Sequence, residues 1–429
     1  RFFMAIHTVQ PGETVFSIAS LYKISVEDLL LYNGLTAEDK LAVGQNLLIL
    51  LPEETYTLPA DTNLSALAAE VGQSERALLR NNPDLVSDGE LYAGRTLVLS
   101  FATPKEGELE TVGYAYPFVS PEVLESALPY LSEFTVFTYG FNEEGGLIPP
   151  ETDDRQAVAL AQERGTTPIL LLSTLGADGR FNNRLSGALF RNPQAQERLI
   201  EELLATLREK GYGGLDIDFE YVAPEDREAY ADFVRRVTER LNEEGYSVTV
   251  ALAPKTYAGQ PGLLYEAHDY QALGKAANGG LLMTYEWGNT YGPPMAVAPL
   301  NRVREVVDYA LSEIPREKIL LGIPNYGYDW TLPYQMGTAA RSLSPGEATK
   351  LAAEKNAEIL FDEEAQAPYF YYTDGEGREH VVWFEDPRSL NAKLDLIAEK
   401  GLGGYAVWTV MRPAPALFAQ TNARFEIAD

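Results

Sequence analysis

The chain has 429 residues, 45% of them apolar and 23% charged, a globular composition long enough for two or three domains. It has no cysteine, which excludes disulfides and thiolate metal sites, and no stretch is apolar enough to span a bilayer. A formal net charge of −29 argues against a nucleic-acid or anionic-membrane partner, where affinity comes from Lys and Arg on phosphates. Tyr numbers 25, which suits either core packing or surfaces that stack on sugars.

The opening "RFFMAIHTV" lacks the long apolar region and small-residue cleavage site of a signal peptide. Met4 as a natural start and prior removal of a signal both fit. Residues 8–35 then recur, with changes, at 57–85: Pro11 matches Pro59, Thr14 matches Thr62, Leu29-Leu30 matches Leu78-Leu79 and Asn33 matches Asn82. Each copy reads as strand, helix, helix and strand. Thr14 or Thr62 is placed to cap the first helix. A period of about fifty residues marks an array of small modules.

From Thr111 onward, apolar runs alternate with amphipathic helical segments. Strands are expected at 111–118, 134–141, 168–175, 214–221, 246–254, 280–287, 318–327 and 403–410. Eight strands alternating with helices predict an α/β fold, a TIM (β/α)8 barrel. An open doubly wound sheet is disfavoured, because no Gly-rich phosphate loop follows the first strand. Residues 331–395 exceed what one βα unit needs and read as a small α+β insertion, with "YTDGEGRE" as a hairpin turn. It should wall one side of a cleft at the C-terminal face. His268, in "EAHDY", reads as a surface residue.

The fourth strand, "GLDIDFEY", carries the chemistry. Alternation puts Asp216, Asp218 and Glu220 on one face and Leu215, Ile217 and Phe219 on the other. In a barrel the apolar set packs under the helices and the acids point inward, with Glu220 at the mouth. Three close carboxylates cannot all ionise cheaply, so their protons are coupled, and a raised pKa is what a general acid needs. A divalent-metal site or a structural strand would use the same residues, but the segment supplies no His, and no metal or other cofactor is expected.

Two resemblances follow from these motifs. The repeats, at about 5–50 and 55–100, are similar to LysM modules, which bind glycans containing N-acetylglucosamine. That likeness implies a groove between the 12–16 loop and the 33–35 turn, using Gly12, Glu13, Thr14, Asn33 and Gly34. The second copy is degenerate, with Ala60 in place of Gly and an extra Asn63. The remainder, 105–429, resembles glycoside hydrolase family 18, whose fourth strand carries D-G-x-D-x-D-x-E. Here Gly213 replaces the first Asp and Phe219 the usual Trp, while D-x-D-x-E is intact. "MTYE" at Met283 resembles the family's M-x-Y-D, and Trp408 stands where the family keeps a sugar platform.

That resemblance implies substrate-assisted hydrolysis. Glu220 is the acid, Asp218 orients the substrate acetamido group, Asp216 shares a proton with Asp218, and Tyr285 bonds the acetamido group. Trp408, Tyr116, Tyr139, Asn325, Tyr326, Met283 and Glu286 are the expected substrate contacts. Paired LysM modules before such a barrel look most like the bacterial spore cortex-lytic N-acetylglucosaminidases. The implied partner is peptidoglycan or a chitin-type glycan, and the implied place is the spore cortex, spore coat or cell wall. A chitinase of the same mechanism and a non-catalytic glycan-binding barrel are the alternatives.

Overall fold

The computed structural model describes residues 3–85 and 89–429. The first module runs strand Met4–Thr8, helices Val15–Tyr22 and Val26–Asn33, and strand Asn46–Leu50. Thr14 caps the first helix in a reciprocal box with Ser17. The second module has the same order, with strands Pro52–Thr57 and Thr96–Phe101 around helices Leu64–Val71 and Glu75–Asn81. Here the cap is Asn63, whose Oδ1 accepts from Ala66 N at 2.8 Å. The residue that looks like an intrusion in the repeat does the work expected of Thr62, because the second helix begins one residue later.

Asn33 and Asn82 play one structural part twice. Asn33 Nδ2 donates to Leu29 O and Leu48 O, and its Oδ1 accepts from Leu48 N at 2.7 Å. Asn82 makes the same three bonds to Leu78 O, Val98 O and Val98 N. Each amide ties a helix end to the closing strand and satisfies backbone groups that neither element can pair itself.

The barrel strands are Glu108–Ala115, Glu133–Phe141, Thr167–Ser173, Gly214–Asp218, Ser247–Leu252, Gly279–Leu282, Ile319–Pro324 and Gly404–Trp408. Each pairs in parallel with the next, and the eighth closes on the first. Leu215, Ile217 and Phe219 join the large core beneath the helices. Strand two holds one extra residue against strand three: Leu170 pairs with Val136, but Leu172 pairs with Tyr139. That bulge reverses the facing of everything after it.

The insertion is a five-stranded antiparallel sheet made of Gly327–Thr331, Arg341–Leu343, Leu360–Asp362, Ala367–Thr373 and Glu379–Trp383, with helix Pro345–Glu354 packed on it. It starts a few residues before 331, and the helix Pro387–Lys400 belongs to the barrel instead. The expected hairpin joins the last two strands. His380 bridges its turn to the neighbouring strand, 2.7 Å from Asp329 and 2.8 Å from Asp374.

Both modules are built into the body of the molecule. In the first, Tyr32, Leu48 and Leu50 share a core with Ala419 and Ala423 of the C-terminal helix. Ile359 N of the insertion donates to Val43 O at 2.9 Å. In the second, Arg76 and Arg80 reach carbonyls at Leu128, Pro129 and Leu131 of the barrel.

Candidate active site

Strand four delivers its acids as alternation requires. Asp216 is fully buried, while Asp218 and Glu220 open toward the mouth. Asp216 accepts from Thr249 Oγ1 at 2.9 Å and Tyr114 OH at 3.2 Å. Burial pushes its carboxyl up to about 7, against the pull of those two donors. Asp218 and Glu220 act on each other's titration, so their protons are coupled. Burial raises both, and the neighbouring charges of Glu220 and Asp216 drive Asp218 higher still. Asp218 is thus acted on by both neighbours, by Glu220 more strongly than by Asp216. The deeper acid, Asp216, is already supplied with two donors.

Gly213 also has a physical reason. A Cβ there would sit 2.3 Å from Thr167 Cγ2, so the Asp of the common pattern has no room unless strand three changes.

A cavity of about 600 Å3 opens at the mouth, lined by Glu220, Met283, Tyr285, Glu286 and residues of the loop after strand six. Tyr285 lies beside the acids, and burial and their charges hold its phenol protonated. Glu286, with φ +69°, accepts from Tyr326 OH at 2.5 Å and Tyr328 OH at 2.8 Å. The insertion holds the same loop: Trp330 Nε1 donates to Gly292 O and Tyr334 OH to Tyr291 O. The insertion thus braces the loop that lines the cavity from behind, and the cavity's own lining comes from the ends of strands four to six and the loops that follow them. Next to the cavity Trp408 meets Phe137 edge-on at 5.0 Å and packs near Tyr114 and Tyr116. Tyr116 in turn stacks on Phe118, which is 61% exposed.

Several expected contacts lie elsewhere. Tyr139 falls after the bulge, so it faces the helices, where its hydroxyl and that of Tyr212 meet the buried Asp154, also paired with Lys210. The amide of Asn325 turns away to the carbonyls of Thr409 and Arg412, fastening the loop after strand eight. His268 is not a surface residue. It is 1% exposed, takes the N–H of Ala253 and contacts Phe219 O.

In the first module the amide of Asn33 already makes three bonds to the backbone. A Cβ at Gly34 would meet Pro415 of the barrel at 2.6 Å, so this turn faces the barrel. Glu13 accepts from Gln10 N and pairs with His7, and both contacts lower its pKa. Gly12 has open space around it, and Phe16 is 61% exposed.

Sequence reasoning missed Tyr114 and Thr249. The signal was present: Tyr114 shares a strand face with Tyr116, and Thr249 lies directly opposite Asp216 across the ladder.

Comparison with known proteins agrees with this arrangement. The model of glycosyl hydrolases family 18 matches residues 110–412, and the LysM domain model matches 7–50 and 60–100. The cortical fragment-lytic enzyme of Bacillus subtilis is 36% identical over 432 residues, covering 99% of both chains. The crystal structure of the Bacillus cereus spore cortex-lytic enzyme SleL superposes with a TM-score of 0.83 at 33% identity, covering 100% of this chain and 99% of that one. The Bacillus megaterium SleL structure gives 0.83 at 34% identity, over 99% of each chain. The barrel, its acids and these matches agree: this chain belongs to glycosyl hydrolases family 18 and is a glycoside hydrolase carrying two LysM domains.

Proposed function

We propose that the protein is a retaining N-acetylglucosaminidase that cleaves spore-cortex peptidoglycan by substrate-assisted catalysis. The observation that carries this is the coupled acid pair Asp218–Glu220 at the mouth of a barrel, above a buried third acid. Burial favours a proton on this coupled pair, and Glu220 delivers it to the glycosidic oxygen. As the proton leaves, Asp218 is released to accept from the substrate acetamido N–H. The acetamido oxygen then attacks the anomeric carbon as an intramolecular nucleophile and gains from proximity. Tyr285, kept neutral beside the acids, is placed to donate to the acetamido oxygen. Trp408 gives the sugar an apolar floor. Glu220, now ionised, activates water from the same face, so configuration is retained.

The cortex assignment, and with it a location in the spore cortex, is supported by similarity to the Bacillus cortex-lytic enzymes over nearly the whole chain. In the first LysM module the open Gly12 loop and the exposed Phe16 are the surfaces left to meet glycan.

The test is mass spectrometry of products from purified cortex fragments beside those from chitin oligomers. New N-acetylglucosamine reducing ends from cortex are expected. Muramic ends alone, or cleavage of chitin alone, would overturn the assignment. Glu220→Gln should lower turnover by about 10²–10⁴-fold while sparing binding.

A further inference from the structure

Strands four and five spread apart where the active site begins. Their ladder ends at Ile217 opposite Val250, so neither Phe219 O nor Ala253 N has a strand partner. One side chain takes both. His268 Nδ1 lies 2.9 Å from Ala253 N, and Nε2 lies 2.8 Å from Phe219 O. A backbone N–H can only donate, so Nδ1 carries no proton; a carbonyl can only accept, so Nε2 carries one. The geometry alone fixes a neutral imidazole with its hydrogen on Nε2. Burial agrees, holding the pKa down at about 4.

The carbonyl that His268 holds belongs to the peptide unit leading into Glu220. The Phe219 ring is clamped by Tyr230, stacked at 5.6 Å and 8°, and by Phe233 at 5.8 Å and 15°. On the far side Tyr221 is held at φ +56°. Glu220 therefore leaves a backbone fixed on both sides, although it lies beyond the last residue of its strand. The strand-five end of the clip is itself anchored. Tyr270 OH donates to Ala253 O at 2.5 Å, and Lys255 Nζ donates to His268 O at 3.0 Å.

We infer that His268 is a positioning residue, which aims Glu220 at the glycosidic oxygen by donating from Nε2 to Phe219 O. The inference rests on the reading of Glu220 as the acid. A buried contact that only stabilised the fold would serve as well through either nitrogen. A positioning contact must act through the bond to Phe219.

Two substitutions separate these roles. His268→Gln can keep a donor near the Nε2 position and loses the acceptor for Ala253. His268→Asn can keep an acceptor near the Nδ1 position and loses the donor to Phe219. Small displacements of a reacting group cost about 10²-fold, so His268→Asn should lower kcat by about that factor with KM unchanged, and His268→Gln by only about threefold. Their melting temperatures should be similar. Equal kcat values for the two variants, or a loss confined to KM, would overturn the inference. So would a kcat loss that tracks the melting temperature.

Nitrogen-15 NMR of the wild-type imidazole at neutral pH needs no substitution and covers a variant that fails to fold. It should show hydrogen on Nε2 only; hydrogen on Nδ1 would overturn the clip. Glu220→Gln serves as the control. If that variant is inactive while the two His268 variants match, only the positioning role fails. If it turns over normally, the acid assignment fails first.

Discussion

Tyr114→Phe tests the buried acid beneath the catalytic pair. Tyr114 OH donates to Asp216 Oδ2 at 3.2 Å, and the substitution removes that one atom without opening a large cavity. A hydrogen bond to a charged group contributes about 1.5–3 kcal/mol. This one is longer than the usual 2.5–2.7 Å for such pairs, so about 1.4 kcal/mol, or about one pKa unit, is the expected share. The hydroxyl favours the ionised carboxylate, so its loss raises Asp216 from about 7 toward about 8. The charge matters to the reaction because it faces a cation above Asp218. At about 10 Å and an effective dielectric of about 20, a unit charge contributes about 1.7 kcal/mol, or about fifteen-fold in rate.

The acid limb of kcat/KM should therefore lie near pH 7 in the parent and move up by about one unit in the variant. Carbon-13 NMR of labelled aspartate follows the same group directly. Stability gives an independent sign. The folded pKa of Asp216 is raised above its ordinary value of 3.8, so the fold binds the extra proton and loses stability as pH climbs from 3.8 to about 7. In the variant that loss continues about one unit further, so parent and variant diverge only above about pH 7, apart from a constant offset. An acid limb that stays in place or moves downward would refute the reasoning.

Other substitutions test the modules and the barrel wall. Asn33→Ala and Asn82→Ala each remove three hydrogen bonds and orphan a backbone N–H at Leu48 or Val98, costing about 2–3 kcal/mol locally. Faster amide exchange at those two residues checks this. Loss of glycan binding by Asn33→Ala with unchanged exchange would restore Asn33 as a sugar contact. Asp154→Ala leaves Lys210 buried without its carboxylate beside two phenols and should cost about 3–5 kcal/mol in chemical denaturation. A loss below about 1 kcal/mol would show that the cluster relaxes into solvent.

The barrel and the repeated modules were legible because both rest on short-range periodicity. The facing of Asp216, Asp218 and Glu220 needed only the two-residue repeat of one unbroken strand, and Leu215, Ile217 and Phe219 confirm it by packing in the core. Tyr139 needed the same repeat to hold across strand two, and there it fails. Phe137 still faces Trp408 by alternation from Val136, but the extra residue before Tyr139 turns that side chain toward the helices. Little in "FTVFTYGF" announces a bulge: it has no glycine at the shift, and Thr138 there suits a regular strand equally well. Its register is set by strand three. Asn325 failed differently, since it lies just past the end of strand seven and its amide is claimed by carbonyls more than eighty positions away.

His268 shows the limit most sharply. Read locally, a histidine flanked by Glu266 and Asp269 belongs on a polar surface. What buries it is a pair of unpaired backbone groups on two other strands, and these exist only because a barrel widens at its mouth. A widening sheet must leave carbonyls and amides without ladder partners where the catalytic residues emerge, and unpaired buried groups cost too much to leave so. Side chains from the following loops have to supply the missing bonds. Tyr270 does so at Ala253 O and Asn325 at Thr409 O, as His268 does at Phe219 O. The catalytic acids are therefore written in the strands, where alternation makes them readable. The groups that aim them are written in distant loops, at positions that only the closed barrel defines.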